Sequence, residues 1–302
     1  MFEYQYRWIP LSLKECRSIL TSRGLWILVA VLPMLLYNPS YAPGIALGAD
    51  STVGYLQYAG TLILPLVVIL FGYRAVVGEV ESGSIKLTLA LPLARSEFLL
   101  AKLVGRTVGI ALPILFAMGI VVLIGVSRHG MFSPIRFIAV LGVTVFYIAV
   151  LVFIVVSVST IADRAIQSAG YLFIGLFVIL ELFWQDAVAP AILDVADSLG
   201  VVTSQSSGDA LLLLILRLSP SGAYNVVTNW ILGVGNSAHL HAMVIRERNL
   251  ATETPALVAE EVFSPGSVPY YLHESGGLLV LLLWAVVSLA IALLYLRRGD
   301  VL

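Results

Sequence analysis

The chain has 302 residues, 60% of them hydrophobic and only 12% charged, with mean hydropathy +0.99 and net charge −1. Soluble domains carry about 25% charged residues, so this composition excludes a soluble globular protein, and the balanced charge gives no basis for nucleic-acid binding. Cys16 is the single cysteine, which excludes an intramolecular disulfide.

Residues 1–23 hold Arg7, Lys14, Arg17 and Arg23 without a long apolar core, which is not the pattern of a cleavable signal peptide. Within 3–22, Ile9, Leu13, Cys16 and Leu20 recur at helical spacing, and the basic residues fall largely away from that stripe. Trp8 suits a membrane interface. The stretch reads as an amphipathic helix lying on the inner leaflet.

A membrane-crossing helix needs about 20 mostly apolar residues. Six runs qualify: 19–37, 52–73, 103–126, 135–160, 166–183 and 278–296. They lack the period-two alternation of barrel strands, so they are read as helices. The fold class is therefore an all-α integral membrane protein with six transmembrane helices, an N-terminal amphipathic helix and a large outer segment between spans five and six. Residues 1–302 form one transmembrane domain.

Orientation follows the basic residues. With the N-terminus inside, most of the 17 are cytoplasmic: Arg7, Lys14, Arg17, Arg23, Arg74, Lys86, Arg95, Lys102, Arg106, Arg164, Arg297 and Arg298. Both termini are then cytoplasmic.

The segment 74–102 lies inside, between spans two and three. Gly83 permits a sharp turn after the second span. Residues 84–91, SIKLTLAL, fit helix or strand equally, and Pro92 ends the run. Ser96 is the expected N-cap of the helix that enters span three. At its start Ala101, Gly105 and Gly109 form a small-residue face for close helix packing, with Pro113 expected to kink the helix a turn later. Span five opens with Ala165, Ala169 and Gly170 in the same manner.

Buried ionisable groups would mark an ion path, and the span centres carry almost none. Glu181 is read as interfacial at the outer end of span five, with a role at an outer gate as the sharper alternative. Ser157, Ser159 and Thr160 are read as packing groups. The outer segment 184–277 holds an apolar run at 211–218 that is too short to span, followed by Ser219, Pro220, Ala223 and Tyr224. This reads as a re-entrant or interfacial element, with a small cap over 234–275. His239, His241 and His273 make a weak metal signal, and no metal site is assigned. No phosphate-binding G-x-x-x-x-G-K-[ST] loop and no catalytic set occur.

The order of residues in the cytoplasmic segment resembles that of type-two ATP-binding-cassette exporter permeases. That family has Glu-x-x-x-Gly-Thr/Ser-Leu/Ile, then Leu-x-x-Pro-x-x-Arg, then Gly-Lys-x-x-Gly. Glu79, Gly83, Ser84, Ile85, Leu89, Pro92, Arg95, Lys102 and Gly105 stand at those places, with Ala101 where the family often has Gly. Ser219, Pro220, Ala223 and Tyr224 likewise match an outer Ser-Pro-x-x-Ala-Tyr/Phe element. The likeness is nearest to the subgroup that includes permeases for nitrous-oxide reductase maturation, and it does not fix a substrate.

The resemblance implies that residues 84–91 form a coupling helix seated in a separate ATPase subunit. Glu79, Glu81, Gly83, Ser84, Ile85, Leu89, Pro92 and Arg95 would carry that docking. It implies that residues 1–23 form an elbow helix, and that Glu181, Ser219, Pro220 and Tyr224 belong to an outer gate. The expected partners are two ABC ATPase subunits, a second permease copy or a sister permease, and membrane lipid. ATP and Mg would sit on the ATPase, with no cofactor and no catalysis on this chain. The expected location is a prokaryotic plasma membrane. The competing readings are a six-span secondary carrier or assembly factor without an ATPase, and a membrane-embedded enzyme.

Overall fold

The computed structural model describes residues 7–36, 48–85, 93–240, 257–263 and 267–298. No strand occurs among them. Leu89 and Pro92 of the predicted docking residues, most of the predicted coupling helix 84–91, and His241 lie outside the described residues.

The chain opens with α1 (Trp8–Leu20) and α2 (Arg23–Leu36), which meet at a bend of 61°. The indole Nε1 of Trp26 donates to the Leu20 carbonyl at 2.6 Å, and the Thr21 hydroxyl donates to Arg17 O at 2.8 Å. Side chains thus satisfy carbonyls that the break would otherwise orphan. The predicted first span, 19–37, is therefore not one straight helix; its first two residues, Ile19 and Leu20, end α1, and α2 forms most of the rest.

Next come α3 (Ser51–Gly72), the short α4 (Val77–Glu81), α5 (Arg95–His129) and α6 (Pro134–Ile161). Helix α5 continues unbroken through Pro113. Its N-cap is Ala94 rather than the expected Ser96. The Glu97 carboxylate accepts from Ala94 N at 2.8 Å, so an acid one turn in closes the helix start.

Helix α7 (Ala165–Tyr171) widens into π-helix over Leu172–Leu182 and again over Trp184–Val188. Beyond it lie α8 (Ala189–Ser198), α9 (Gln205–Leu216), α10 (Pro220–Leu232), α11 (Ala259–Val262) and α12 (Gly276–Arg298). Asp194 and Asp197 are exposed on α8, as a solvated helix face requires.

Among the described residues, five helical stretches are long and apolar enough to cross a membrane: Gly60–Glu81, Arg95–His129, Pro134–Ile161, Ala165–Leu182 and Gly276–Arg297. They correspond to predicted spans two to six. Two bent pairs raise the number to as many as seven, α1 with α2 and α9 with α10. The second pair turns by 103°, which is the form a re-entrant element takes.

The main apolar cluster is drawn largely from α2, α3, α5, α6 and α12, with Leu56, Val68, Ile114, Leu151 and Leu281 among its fully buried members, and two smaller clusters lie around α9. Ser157 and Ser159 act within it as packing groups. Ser159 Oγ accepts from Val76 N (3.0 Å) and Val77 N (3.2 Å), so α6 holds the turn into α4. The Ser157 hydroxyl donates to the Ser288 carbonyl of α12.

Candidate functional site

At the end of the bundle where α1 lies, α4 and the start of α5 converge on it. The approach depends on glycine. A Cβ on Gly105 would sit 2.4 Å from Ser12 O, and one on Gly109 would sit 3.2 Å from Cys16 Cα. The small-residue face Ala101–Gly105–Gly109 thus packs within the chain, against α1. The face of α1 that meets it is Leu11, Ser12, Glu15 and Ile19. The predicted stripe lies to one side, and Leu13 is 64% exposed. A single apolar stripe was the wrong description, because one of the buried positions is a carboxylate.

That carboxylate is the key. The Lys102 side chain is 1% exposed, and its Nζ lies 2.8 Å from Glu15 Oε1 and 2.6 Å from Glu79 Oε1. Arg106 stands one turn further along α5. Its Nη2 pairs with Glu15 Oε2 at 3.0 Å, and its Nη1 donates to the Phe71 carbonyl at 2.7 Å. Burial pushes the Glu15 carboxyl up, but Lys102 and Arg106 outweigh this and hold it below the usual carboxylate range. A buried ammonium needs such partners, since desolvation alone costs several kcal/mol per ion, on the order of the pairing energy. Sequence reasoning placed Glu79 and Lys102 in one motif but missed their contact, and it missed Glu15 altogether. The signal available was one acid on an otherwise basic helix.

The other motif residues have local duties. Gly83 takes φ +69°, the left-handed turn that ends α4. Glu81 Oε1 accepts from Ala165 N at 2.7 Å, so it sits at the N-terminus of α7. The Arg95 guanidinium donates to the Leu296 carbonyl near the end of α12. Ile85 is buried, and the Ser84 and Ser82 hydroxyls lie 2.9 Å apart. These contacts fasten the segment to α7 and α12.

At the opposite end, α10 is set mainly among neutral groups, while the buried Arg217 guanidinium donates to Leu272 O at 2.9 Å and Asn236 Oδ1 at 3.0 Å. The Ser219 hydroxyl accepts from Gly222 N at 3.0 Å, and Pro220 fills the first helical position of α10. Helix α10 then inserts between α3, α6 and α12, with Tyr224 fully buried. The Tyr224 hydroxyl lies 2.9 Å from Thr144 Oγ1, and its ring stacks on Tyr147 with centroids 4.6 Å apart. Gln57 Nε2 donates to Asn229 Oδ1 at 2.7 Å, and the Thr61 hydroxyl to Asn225 Oδ1 at 2.6 Å. Glu181, near the end of the stretch Ala165–Leu182, is partly exposed. It is turned inward, and the Tyr147 hydroxyl donates to its Oε1 at 3.2 Å. Its Oε2 is buried without a hydrogen-bond partner among the described residues. Of the predicted gate residues, Glu181, Ser219 and Tyr224 therefore gather around α6 and α10.

The family model described as "ABC-2 family transporter protein" matches residues 9–301. Two curated relatives, each named probable ABC transporter permease protein NosY, come from Stutzerimonas stutzeri and Pseudomonas aeruginosa. Each is 39% identical to this chain over 69 residues, covering 23% of this chain and 25% of the relative. The match thus spans about a quarter of the length of these relatives.

Proposed function

The chain belongs to the ABC-2 transporter family, and on that premise we propose that it is the permease subunit of an ATP-driven exporter. The six spans are α2, α3, α5, α6, α7 with its π-helical continuation, and α12. Helices α9 and α10 form a re-entrant hairpin at the outer face, and both termini are cytoplasmic. Two ATPase subunits on separate chains hold ATP and Mg and seat the segment around 84–91. Two copies of this chain, or this chain and a sister, line the path. The residues near the outer path are Glu181, Ser219, Pro220 and Tyr224.

One observation carries the reading. Lys102 joins Glu79, just before the coupling segment, to Glu15 of the elbow helix. A push on that segment therefore reaches α1 and α5 through buried ion pairs rather than through a loose loop. Sub-ångström shifts at such packed junctions are passed on as rigid movements.

The test is co-purification with the ATPase encoded beside this chain. Glu79 is a poor docking probe, because an Arg there would confront Lys102 and unsettle the fold. Leu89→Arg is the better variant. Loss of co-elution in Leu89→Arg, with an unchanged melting temperature, is the expected result. Absence of any complex with the folded wild-type chain overturns the proposal and favours an ATPase-free carrier or assembly factor.

A further inference from the structure

The ion-pair hub forms the floor of a cleft of about 260 Å³ between α1 and the turn from α3 to α4. Its mouth is set by Lys14, Ser18 and Arg74. Lys14 is exposed, and the Arg74 side chain is 57% exposed, its ion pair with Glu81 a long 3.7 Å. The floor is close to neutral, because Glu15 and Glu79 face Lys102 and Arg106. The accessible charge at the mouth is therefore positive. A shallow groove adjoins the cleft on the outer surface of α1 and shares Lys14 and Ser18 with it. That groove adds Arg17 and the exposed Leu13.

Cations flanking a hydroxyl, next to an exposed apolar side chain on an amphipathic helix, match one kind of occupant. The phosphate of an anionic lipid would sit at Lys14, Ser18 and Arg74, and its acyl chain would lie along Leu13. An acidic protein surface would satisfy the cations but would leave Leu13 without a partner. We propose that this cleft is a binding site for the headgroup of an anionic phospholipid, seated between the elbow helix and the second span. Its assignment to the inner leaflet rests on the orientation proposed above; the binding itself does not.

The consequence is mechanical. The lipid wedges against the same two elements that Lys102 ties together, so its occupancy sets how firmly α1 is held on α5. Basic groups near an anionic membrane surface contribute roughly fivefold each in affinity. Removing both cations at the mouth should therefore weaken retention about 30-fold.

The experiment uses the full-length chain alone, purified in mild detergent without the ATPase, so its outcome is independent of subunit docking. Phosphatidylglycerol and phosphatidylcholine are offered in turn, and bound lipid is counted by native mass spectrometry. Wild type should retain phosphatidylglycerol in preference to phosphatidylcholine. The Lys14→Gln/Arg74→Gln double variant should lose that preference. Lys14→Arg/Arg74→Lys should keep it, with all three proteins melting alike. Equal retention of the two lipids by wild type overturns the site. So does undiminished phosphatidylglycerol in the Gln double variant. If an acidic peptide binds the lipid-free protein but phosphatidylglycerol does not, the surface belongs to a protein partner and the lipid assignment is wrong.

Discussion

The two ends of the bundle solve the same problem with different chemistry. At one end, α1, α4 and α5 are tied by full charges, with Lys102 between Glu15 and Glu79 and Arg106 beside them. At the other, α10 is tied to α3 and α6 by neutral groups, Gln57 with Asn229, Thr61 with Asn225 and Thr144 with Tyr224, although Asp50 before α3 also pairs with Arg136 of α6 at 2.7 Å. An unpaired amide costs a few kcal/mol in an apolar medium, whereas an unpaired charge costs far more. Amides and hydroxyls can therefore sit among spanning helices with little danger if one bond fails. The charged hub is stiffer and less forgiving, which suits the coupling role proposed above. Glu181, a carboxyl turned onto Tyr147, and the buried Arg217 are charged exceptions near that end.

The comparison breaks most visibly at Lys102. Lys102→Met leaves Glu15 and Glu79 buried without their shared partner. Loss of about 3–5 kcal/mol is expected, as for other broken buried pairs, read as a lower melting temperature in detergent. Adding Glu15→Gln to that variant should restore part of the loss, because the two substitutions act within one network. A Lys102→Met protein as stable as wild type would show that the hub is not closed.

Gly105→Ala comes next. Its new Cβ meets a backbone carbonyl rather than a flexible side chain, so α1 must move. A cost of about 1–3 kcal/mol is expected, together with faster maleimide labelling of the half-buried Cys16. Gly109→Ala, with its nearest atoms at 3.2 Å, should be milder on both readouts. At the neutral end, Tyr224→Phe removes the bond to Thr144 but keeps the ring stack. That should cost about 0.5–1.5 kcal/mol, well below the Lys102 effect. If it exceeds the Lys102 effect, the contrast between the two ends is reversed.

The smallest effect is in acid. Glu15 has a lowered carboxyl pKa in the folded chain. Its contribution is therefore complete above the unfolded carboxylate value of about 4.3 and fades as pH falls through the folded value. The slope from this one group is at most about 1.4 kcal/mol per pH unit. Glu15→Gln should flatten the decline of melting temperature below about pH 5. The same decline in both proteins would place the acid sensitivity elsewhere.

Much of the architecture was legible because membrane spans are written as long apolar runs. Spans two to six follow directly from hydropathy, and Ser-Pro-Ser-Gly after a short apolar run pointed to the bent pair α9–α10. The first span was less legible, since the bend between α1 and α2 depends on a Trp26 side chain reaching back to Leu20 O. The site was legible only in part. The motif placed Glu79, Lys102 and Gly105 in one region, but an ion pair between residues 87 positions apart, Lys102 and Glu15, leaves no periodic trace. Apolar spacing on α1 drew attention to Leu13 and away from Glu15. Periodicity reports which side is apolar, not which side meets protein, and in a membrane both lipid and protein take apolar faces. The turn of Glu181 onto Tyr147, 34 positions away, likewise leaves no periodic trace.

The most direct test of the central claim is a site-specific crosslink. In a Cys16→Ser background, a photoreactive maleimide is placed at Ser82→Cys, beside the coupling segment, or at Ser206→Cys, exposed at the start of α9. Each chain is then illuminated in complex with the ATPase subunits proposed above. The proposed arrangement requires crosslinking from position 82 and none from position 206. Crosslinking from 206 alone would put the ATPase at the opposite end and contradict the orientation, the docking segment and the role of the Lys102 hub together.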